Sequence, residues 1–210
     1  MKRIFAPLAL TLAAVPFVTS IMPAAAQTDQ SDLSRVNAYI RAVTTMTADF
    51  AQTDRNGQTL TGQLTIKQPG KIRFQYQKDV PLLIVGDGKA LTMIDYKVNQ
   101  VSRWPVGNSP LALLIDPSKD ISRYAHLVSG MPAGQIAIEG RDPKHPEFGT
   151  ITIGFASKAG APGGLMLAGW SVLDAQGNRT TTVLSNQRFG VAVSDQTFLW
   201  RDPRPQTRGH

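Results

Sequence analysis

The 210-residue sequence contains no cysteine. This absence excludes a disulfide framework and a thiolate metal site, so the fold must be held together by burial of apolar side chains. It also excludes a lipid anchor on a mature N-terminus, because that anchor needs a cysteine as acceptor. Long apolar runs are scarce as well, since nothing beyond the N-terminal segment approaches the ~20 apolar residues of a membrane span.

Motifs that would support catalysis are also missing. The sequence has no G-x-S-x-G, S-x-x-K or H-E-x-x-H, and its GDG and APGG stretches sit at hairpin positions rather than between a strand and a helix. The three histidines are His126, His145 and His210. Asp142, His145 and Glu147 come nearest to a metal cluster, but a solvated turn explains them better. We therefore expect a binding protein, with no enzymatic activity, metal or cofactor.

The N-terminus has the pattern of an export signal. Lys2 and Arg3 precede a proline-interrupted apolar stretch that ends in three alanines. This pattern predicts a signal peptide over residues 1–26, cleaved after Ala26, and a single mature domain over residues 27–210 in the periplasm. A membrane anchor is the alternative, against which the prolines and the small residues before the polar stretch both argue.

The chain is basic, with 22 lysines and arginines against 15 acidic residues and a formal net charge of +7. Export makes nucleic acid an unexpected partner. An anionic membrane surface, an acidic partner protein and a merely solvated surface all remain open.

One amphipathic helix is expected before the strands begin. Residues Ser31 to Met46 place Leu33, Val36, Ile40 and Val43 at helical spacing, with Ser31 as N-cap. The narrow apolar stripe predicts a helix that lies on a sheet.

From Ala48 onwards the alternation has period two, which indicates an antiparallel meander. Its clearest part is the stretch TIKQPGKIRFQYQ, a hairpin around Pro69-Gly70. One face of this hairpin carries Ile66, Ile72, Phe74 and Tyr76. The other face carries Thr65, Lys67, Lys71, Arg73, Gln75 and Gln77.

A short apolar helix interrupts the strands. Asn108-Ser109-Pro110 opens the run LALLID as polar cap and first-turn proline, and Asp116-Pro117 ends it. Further strand patterns follow, down to a C-terminal SDQTFLW. A curved sheet with one apolar face and two short helices can close around its own side chains or stay open and hold an apolar ligand under a helical lid. The pattern alone leaves both options open.

The order of these motifs resembles the LolA family of outer-membrane lipoprotein carrier proteins. The resemblance covers nearly the whole mature chain: the first helix running into ADFAQT, the hairpin from Gly62 to Tyr76, the block from Leu83 to Val101 and the SPLALLI segment from Ser109 to Ile115. It implies a mainly β, α+β fold, an unclosed antiparallel β-barrel whose hydrophobic cavity is covered by a lid of short helices.

The resemblance also implies the function and the partners. The expected protein is a monomeric, non-enzymatic periplasmic carrier that takes acylated lipoproteins from an inner-membrane ABC-type releasing complex. It would deliver them to an outer-membrane acceptor or to the outer membrane itself. The alternative is an envelope adaptor or sensor of the same fold that binds a protein partner or another lipid. The missing cysteine favours the carrier over the lipid-anchored acceptor.

Site residues follow from the same resemblance. The expected cavity wall consists of Leu64, Ile66, Ile72, Phe74, Tyr76, Leu83, Leu91 and Met93, and the lid of Leu111, Leu113 and Leu114. For each of these, ordinary core packing is the competing explanation. Gln68 stands at the lid-latch position where the family's best-known members have an arginine. Because glutamine lacks the charge and the bidentate fork, we expect a lid that opens more easily.

Overall fold

The computed structural model describes residues 24–108, 111–141 and 146–205. Most of the expected signal peptide, residues 1–23, therefore lies outside the described residues. No helix in the described ranges combines the length and hydropathy of a membrane span.

The described chain forms one antiparallel sheet of 11 strands, with the spatial order β6-β5-β4-β3-β2-β1-β11-β10-β9-β8-β7. The strands are β1 Thr45–Thr53, β2 Thr59–Lys67, β3 Lys71–Tyr76, β4 Leu82–Asp87, β5 Ala90–Asp95, β6 Gln100–Pro105, β7 Ala125–Leu127, β8 Gln135–Arg141, β9 Thr150–Ser157, β10 Leu165–Leu173 and β11 Arg179–Phe189. Because β6 and β7 end the order unpaired with each other, the sheet is not closed into a barrel. The expected unclosed, mainly β architecture is confirmed.

The sheet is strongly curled. The ring centroids of Phe74 in β3 and Trp170 in β10 lie 6.0 Å apart, although three strands separate these two in the sheet. In a flat sheet, strands four positions apart would be about 19 Å apart. The sheet therefore wraps around one face, which we call the concave face.

The first helix, α1, spans Ala24–Ala42. It begins before the predicted Ser31 and ends before the predicted Met46, because the threonine-rich segment from Thr45 is already strand β1. Val36, Tyr39 and Ile40 of this helix are buried, as is Val43 just after it, and Leu33 packs partly buried on the same core, so the predicted face packs on the sheet. Tyr39, which the helical spacing did not single out, packs edge-on against Phe155 and Phe189, with ring centroids 5.3 and 6.3 Å away.

The second helix, α2, spans Ala112–Ile115. The predicted polar cap lies partly outside the described residues, and the observed N-cap is Leu111, which makes no side-chain capping bond. The C-terminal SDQTFLW is not a strand as predicted. It contains a 3-10 helix, Asp195–Phe198, whose N-cap Ser194 accepts a hydrogen bond from the Gln196 N–H.

Candidate functional site

The opening hairpin carries its apolar side chains on the concave face. The register pairs Leu64 with Phe74 and Ile66 with Ile72 across β2 and β3, and directly opposed residues share a face. These four and Tyr76 are at most 3% exposed. Leu91 in β5 is 1% exposed and belongs to the same apolar cluster. The structure thus brings most of the expected wall together on one surface.

An aromatic cluster occupies the middle of this face. Phe50 packs edge-on against Phe74 at 5.4 Å and against Tyr76 at 5.1 Å. Trp170 from the far half of the sheet extends the cluster through Phe74. Gly62 makes room for it, since a Cβ there would meet the Phe50 ring at 2.8 Å. The two halves of the sheet therefore share one apolar surface.

Helix α2 covers this surface. All four of its residues are buried, and Ile115 is 0% exposed. The Leu113 side chain lies directly over Gly140 in β8, where a Cβ would collide with it. Leu111 is half-buried and packs on the same cluster. The predicted lid residues thus lie on the apolar face, between β8 and the β2–β3 turn.

The β2–β3 turn holds the end of α2 through the main chain. The Gly70 N–H donates to the Ile115 carbonyl at 2.8 Å. Gly70 has φ +73°, and a Cβ at that position would meet Gly88 Cα at 2.8 Å. The half-buried Gln68 donates its backbone N–H to Thr44 at 2.8 Å, and within the described ranges its side chain has no hydrogen-bond partner. A main-chain hydrogen bond, and not the Gln68 side chain, joins this turn to α2.

A cleft remains open at one end of the concave face. It has a volume of about 260 Å³ and is lined by Gln52, Asp54, Gln58, Leu60, Tyr76, Leu82, Ile84, Met93 and Thr180. Met93, the last of the expected wall residues on this face, is half-buried there. Pockets that hold drug-sized ligands measure roughly 300–1,000 Å³, so this cleft alone does not accommodate a triacylated lipid.

The Tyr76 hydroxyl lies at this cleft and donates to Oε1 of Gln52. Burial raises the pKa of Tyr76 to about 12, so the hydroxyl remains a neutral donor at physiological pH. The concave face is therefore apolar and uncharged at its centre, with a fixed polar pair at one end.

Leu83 does not belong to the wall, contrary to the sequence-based expectation. The register pairs Phe74 with Ile84 and Gln75 with Leu83, so Leu83 lies on the convex face. There it forms a second apolar cluster with Val85, Ile94 and Phe198. Leu82 and Ile84 take its place on the concave side.

The basic side chains of the hairpin lie on the convex face, opposite the apolar wall. The C-terminal segment, residues 191–205, contacts them through residues 193–199. Lys67 and Lys71 contact Asp195 at 2.7 and 2.8 Å, and Arg73 donates to the carbonyls of Thr197 and Leu199. Hydrogen bonds from Lys67 and Lys71 lower the pKa of Asp195 to about 2. Phe198 then fills the convex cluster, 5% exposed.

The sequence did not single out several residues of the concave face. Phe50 and Trp170 complete the aromatic cluster, and the alternation of Met46, Ala48 and Phe50 in β1 was a usable signal for the first of them. Gln52 and Thr182 required knowledge of the β1–β11 pairing, which joins the two ends of the meander. As to metals, no suitable His or carboxylate cluster occurs in the described part of the chain. The turn considered above as a metal cluster includes Asp142 and His145, which lie outside the described residues.

Comparisons with known proteins agree with this geometry. The profile of the family described as outer membrane lipoprotein carrier protein LolA matches residues 41–200. An outer-membrane lipoprotein carrier protein of Chromobacterium violaceum is 32% identical over 189 residues, covering 86% of this chain and 88% of the relative. A protein of that name from Xanthomonas axonopodis pv. citri is 28% identical over 177 residues, covering 79% and 81%.

A solved structure shares the fold. The crystal structure of a DUF1329 family protein from Desulfovibrio piger superimposes with a TM-score of 0.51 at 12% identity, covering 81% of this chain and 97% of that one.

Proposed function

The chain belongs to the LolA family of outer-membrane lipoprotein carrier proteins, and from this premise we propose that it carries lipoproteins across the periplasm. It binds the acyl chains of lipoproteins released from the inner membrane and delivers them to the outer membrane. The family is one of carriers and not of enzymes. The proposed mature protein is residues 27–210, a monomer freed from its signal peptide.

The observation that carries this proposal is the cover over the concave face. Helix α2 has only four residues, far fewer than the roughly 12–15 that an isolated helix needs to be even marginally stable. Its helicity therefore depends on packing against the apolar face beneath it. A short, buried cover that is joined to the hairpin by the Gly70–Ile115 hydrogen bond can leave that face when something else covers it.

Burial of an acyl cargo in the cavity contributes more free energy than the displacement of α2 from the concave face costs. Exposing Leu113, Leu114 and Ile115 costs roughly 1.5–3 kcal/mol for each side chain. Three long acyl chains, at ~0.8 kcal/mol per CH₂, represent roughly 35 kcal/mol of burial. The cargo therefore displaces the lid readily once it reaches the cavity.

The same magnitude defines the partners. Because the membrane stabilises the acyl chains about as well as the cavity does, an inner-membrane ABC-type complex must supply the energy for release. An outer-membrane acceptor, or the outer membrane itself, then takes the cargo. The wall residues proposed to contact acyl chains are Leu64, Ile66, Ile72, Phe74, Tyr76, Leu91 and Met93, with Leu111, Leu113 and Leu114 as the lid.

Native mass spectrometry of the protein isolated from periplasm tests the proposal. Co-expression with a lipoprotein-releasing donor should yield a complex with one triacylated lipoprotein, and a donor that cannot hydrolyse ATP should yield empty protein. An empty protein in complex with a signalling partner would instead indicate the adaptor function. Turnover of a lipid ester would contradict both.

A further inference from the structure

Two polar side chains oppose each other within the apolar concave face. Gln52 in β1 pairs directly with Thr182 in β11, next to the apolar pair of Phe50 and Leu184. Directly opposed residues of antiparallel strands have Cβ atoms about 5 Å apart on the same face. Thr182 is 1% exposed, and its Oγ1 has no hydrogen-bond partner. A buried hydroxyl without a partner is costly and needs an explanation.

The orientation of Gln52 is fixed by its neighbour. Tyr76 is 3% exposed, and its hydroxyl donates a hydrogen bond to Oε1 of Gln52. The Gln52 amide nitrogen has no partner within the described part of the chain. Its two N–H donors are therefore available to a molecule that enters the cleft.

The cleft selects the chemistry of such a molecule. Leu60, Leu82, Ile84 and Met93 give it apolar walls that suit methylene groups. Gln52 supplies a donor, which requires an acceptor on the ligand. The Asp54 carboxylate at the same cleft disfavours an anionic ligand, such as a free fatty acid. A neutral carbonyl attached to an alkyl chain satisfies all three conditions.

We infer that Gln52, oriented by Tyr76, donates a hydrogen bond to the ester or amide carbonyl of an acyl chain lying in this cleft. The inference rests on the proposed carrier function and adds the position at which the linkage of the chain is recognised. Thr182 is buried opposite Gln52 and does not line the cleft, so of this pair only Gln52 can reach a ligand there. Tyr76 is a positioning residue in this arrangement, because it acts through the Gln52 amide.

Competition binding with matched lipids tests the inference. Dipalmitoylglycerol has two ester carbonyls, dihexadecylglycerol replaces them with ethers, and an N-alkyl palmitamide separates the amide from the ester. Each lipid displaces a fluorescent acyl probe from the full-length mature protein. The wild type should bind the ester, the amide or both about three- to tenfold tighter than the ether, as expected for one neutral hydrogen bond.

The variants separate recognition from folding. Gln52→Leu should reduce the ratio of ester or amide affinity to ether affinity to about one, while binding of the ether lipid persists. Tyr76→Phe should reduce this ratio partly. Gln63→Leu, a matched change at an exposed glutamine of β2, should leave the wild-type ratio. Equal binding of all three lipids by the wild type would overturn the inference and leave the carrier function intact. Failure of every acyl lipid to displace the probe would contradict the carrier function itself.

Discussion

At the scale of single residues, Gly70 shows how tightly the hairpin turn fits its neighbour. Gly70→Ala should destabilise the protein by about 2–3 kcal/mol, because it adds a close contact with Gly88 Cα to the cost of a left-handed backbone. Gly57→Ala is the matched control, since Gly57 has φ +79° with nothing within 4 Å of its Cβ position. Urea unfolding measures both variants, and Gly57→Ala should lower the free energy of unfolding by about 1 kcal/mol. Equal losses would show that the close approach contributes nothing.

Thr182 allows a second test at this scale. Replacing its unpaired hydroxyl by a methyl group in Thr182→Val should raise the free energy of unfolding by about 1 kcal/mol, because no buried oxygen is left without a partner. The neighbouring Thr181→Val, on the other face of β11, should change it by less than about 0.5 kcal/mol. Urea denaturation of the empty protein measures both. A loss of stability in Thr182→Val would mean that the hydroxyl is hydrogen-bonded in solution.

Single residues also mark where sequence reasoning succeeded and failed. The faces of the β2–β3 hairpin follow from alternation, because Pro69-Gly70 fixes the turn and hence the register. Leu83 was assigned to the wrong face because the loop before β4 does not reveal the pairing register, and a shift of one residue exchanges the two faces. Gln52 and Thr182 were missed because they meet across strands far apart in sequence.

At the scale of elements, the lid and its latch position give a directional prediction. Gln68→Arg should slow release of a bound acyl probe by about tenfold, because an arginine can donate charge-assisted bonds to nearby carbonyls. Hydrogen exchange at the α2 amides should slow in parallel. Gln63→Arg adds the same charge on the exposed side of β2 and should change neither rate. Unaltered release and exchange in Gln68→Arg would show that this position does not control the lid.

The C-terminal segment depends on Asp195. Its pKa is lowered to about 2 by Lys67 and Lys71, below the value in an unfolded chain. The contribution of this carboxylate is therefore present above about pH 4 and is lost as the pH falls towards 2. Asp195→Asn should abolish this pH dependence and speed hydrogen exchange at residues 196–200 at neutral pH.

Asp202→Asn is the control for that experiment. The pKa of Asp202 is also lowered to about 2, but by Arg204 within the same segment. This variant should leave exchange at residues 196–200 unchanged at neutral pH. If Asp195→Asn behaves like Asp202→Asn, the two lysines do not hold the segment on the sheet.

The sequence predicts those elements whose causes lie within the element itself. Helix α1 and the strands show clear periodicity, and the interrupting helix has an apolar run between prolines. The 3-10 helix at Asp195–Phe198 resembled a strand because Thr197, Phe198 and the nearby Trp200 are residue types that favour strands. Its conformation instead follows from the convex cluster and from the bonds that Arg73 makes to its carbonyls, none of which is visible in a single sequence.

At the scale of the whole molecule, the curl of the sheet joins its two halves around one apolar face. The Phe74–Trp170 contact closes this face across β3 and β10, and α2 covers it between Gly70 and Gly140. The sequence pattern left open whether such a sheet encloses only its own side chains or also a ligand. The structure shows this face covered by helix α2, and the proposed function requires that α2 give way to cargo.

Amide hydrogen exchange in the presence of a triacylated lipopeptide tests most directly whether cargo replaces α2 on the concave face. The amides of Leu114, Ile115 and Asp116 bond to the carbonyls of Leu111 and Ala112 within α2, so they report on the lid. Saturation with the lipopeptide should speed their exchange at least tenfold and leave β10 and β11 unchanged, whereas the same peptide without acyl chains should have no effect. Lipopeptide bound stoichiometrically with α2 still protected would contradict an acyl-binding cavity beneath the lid.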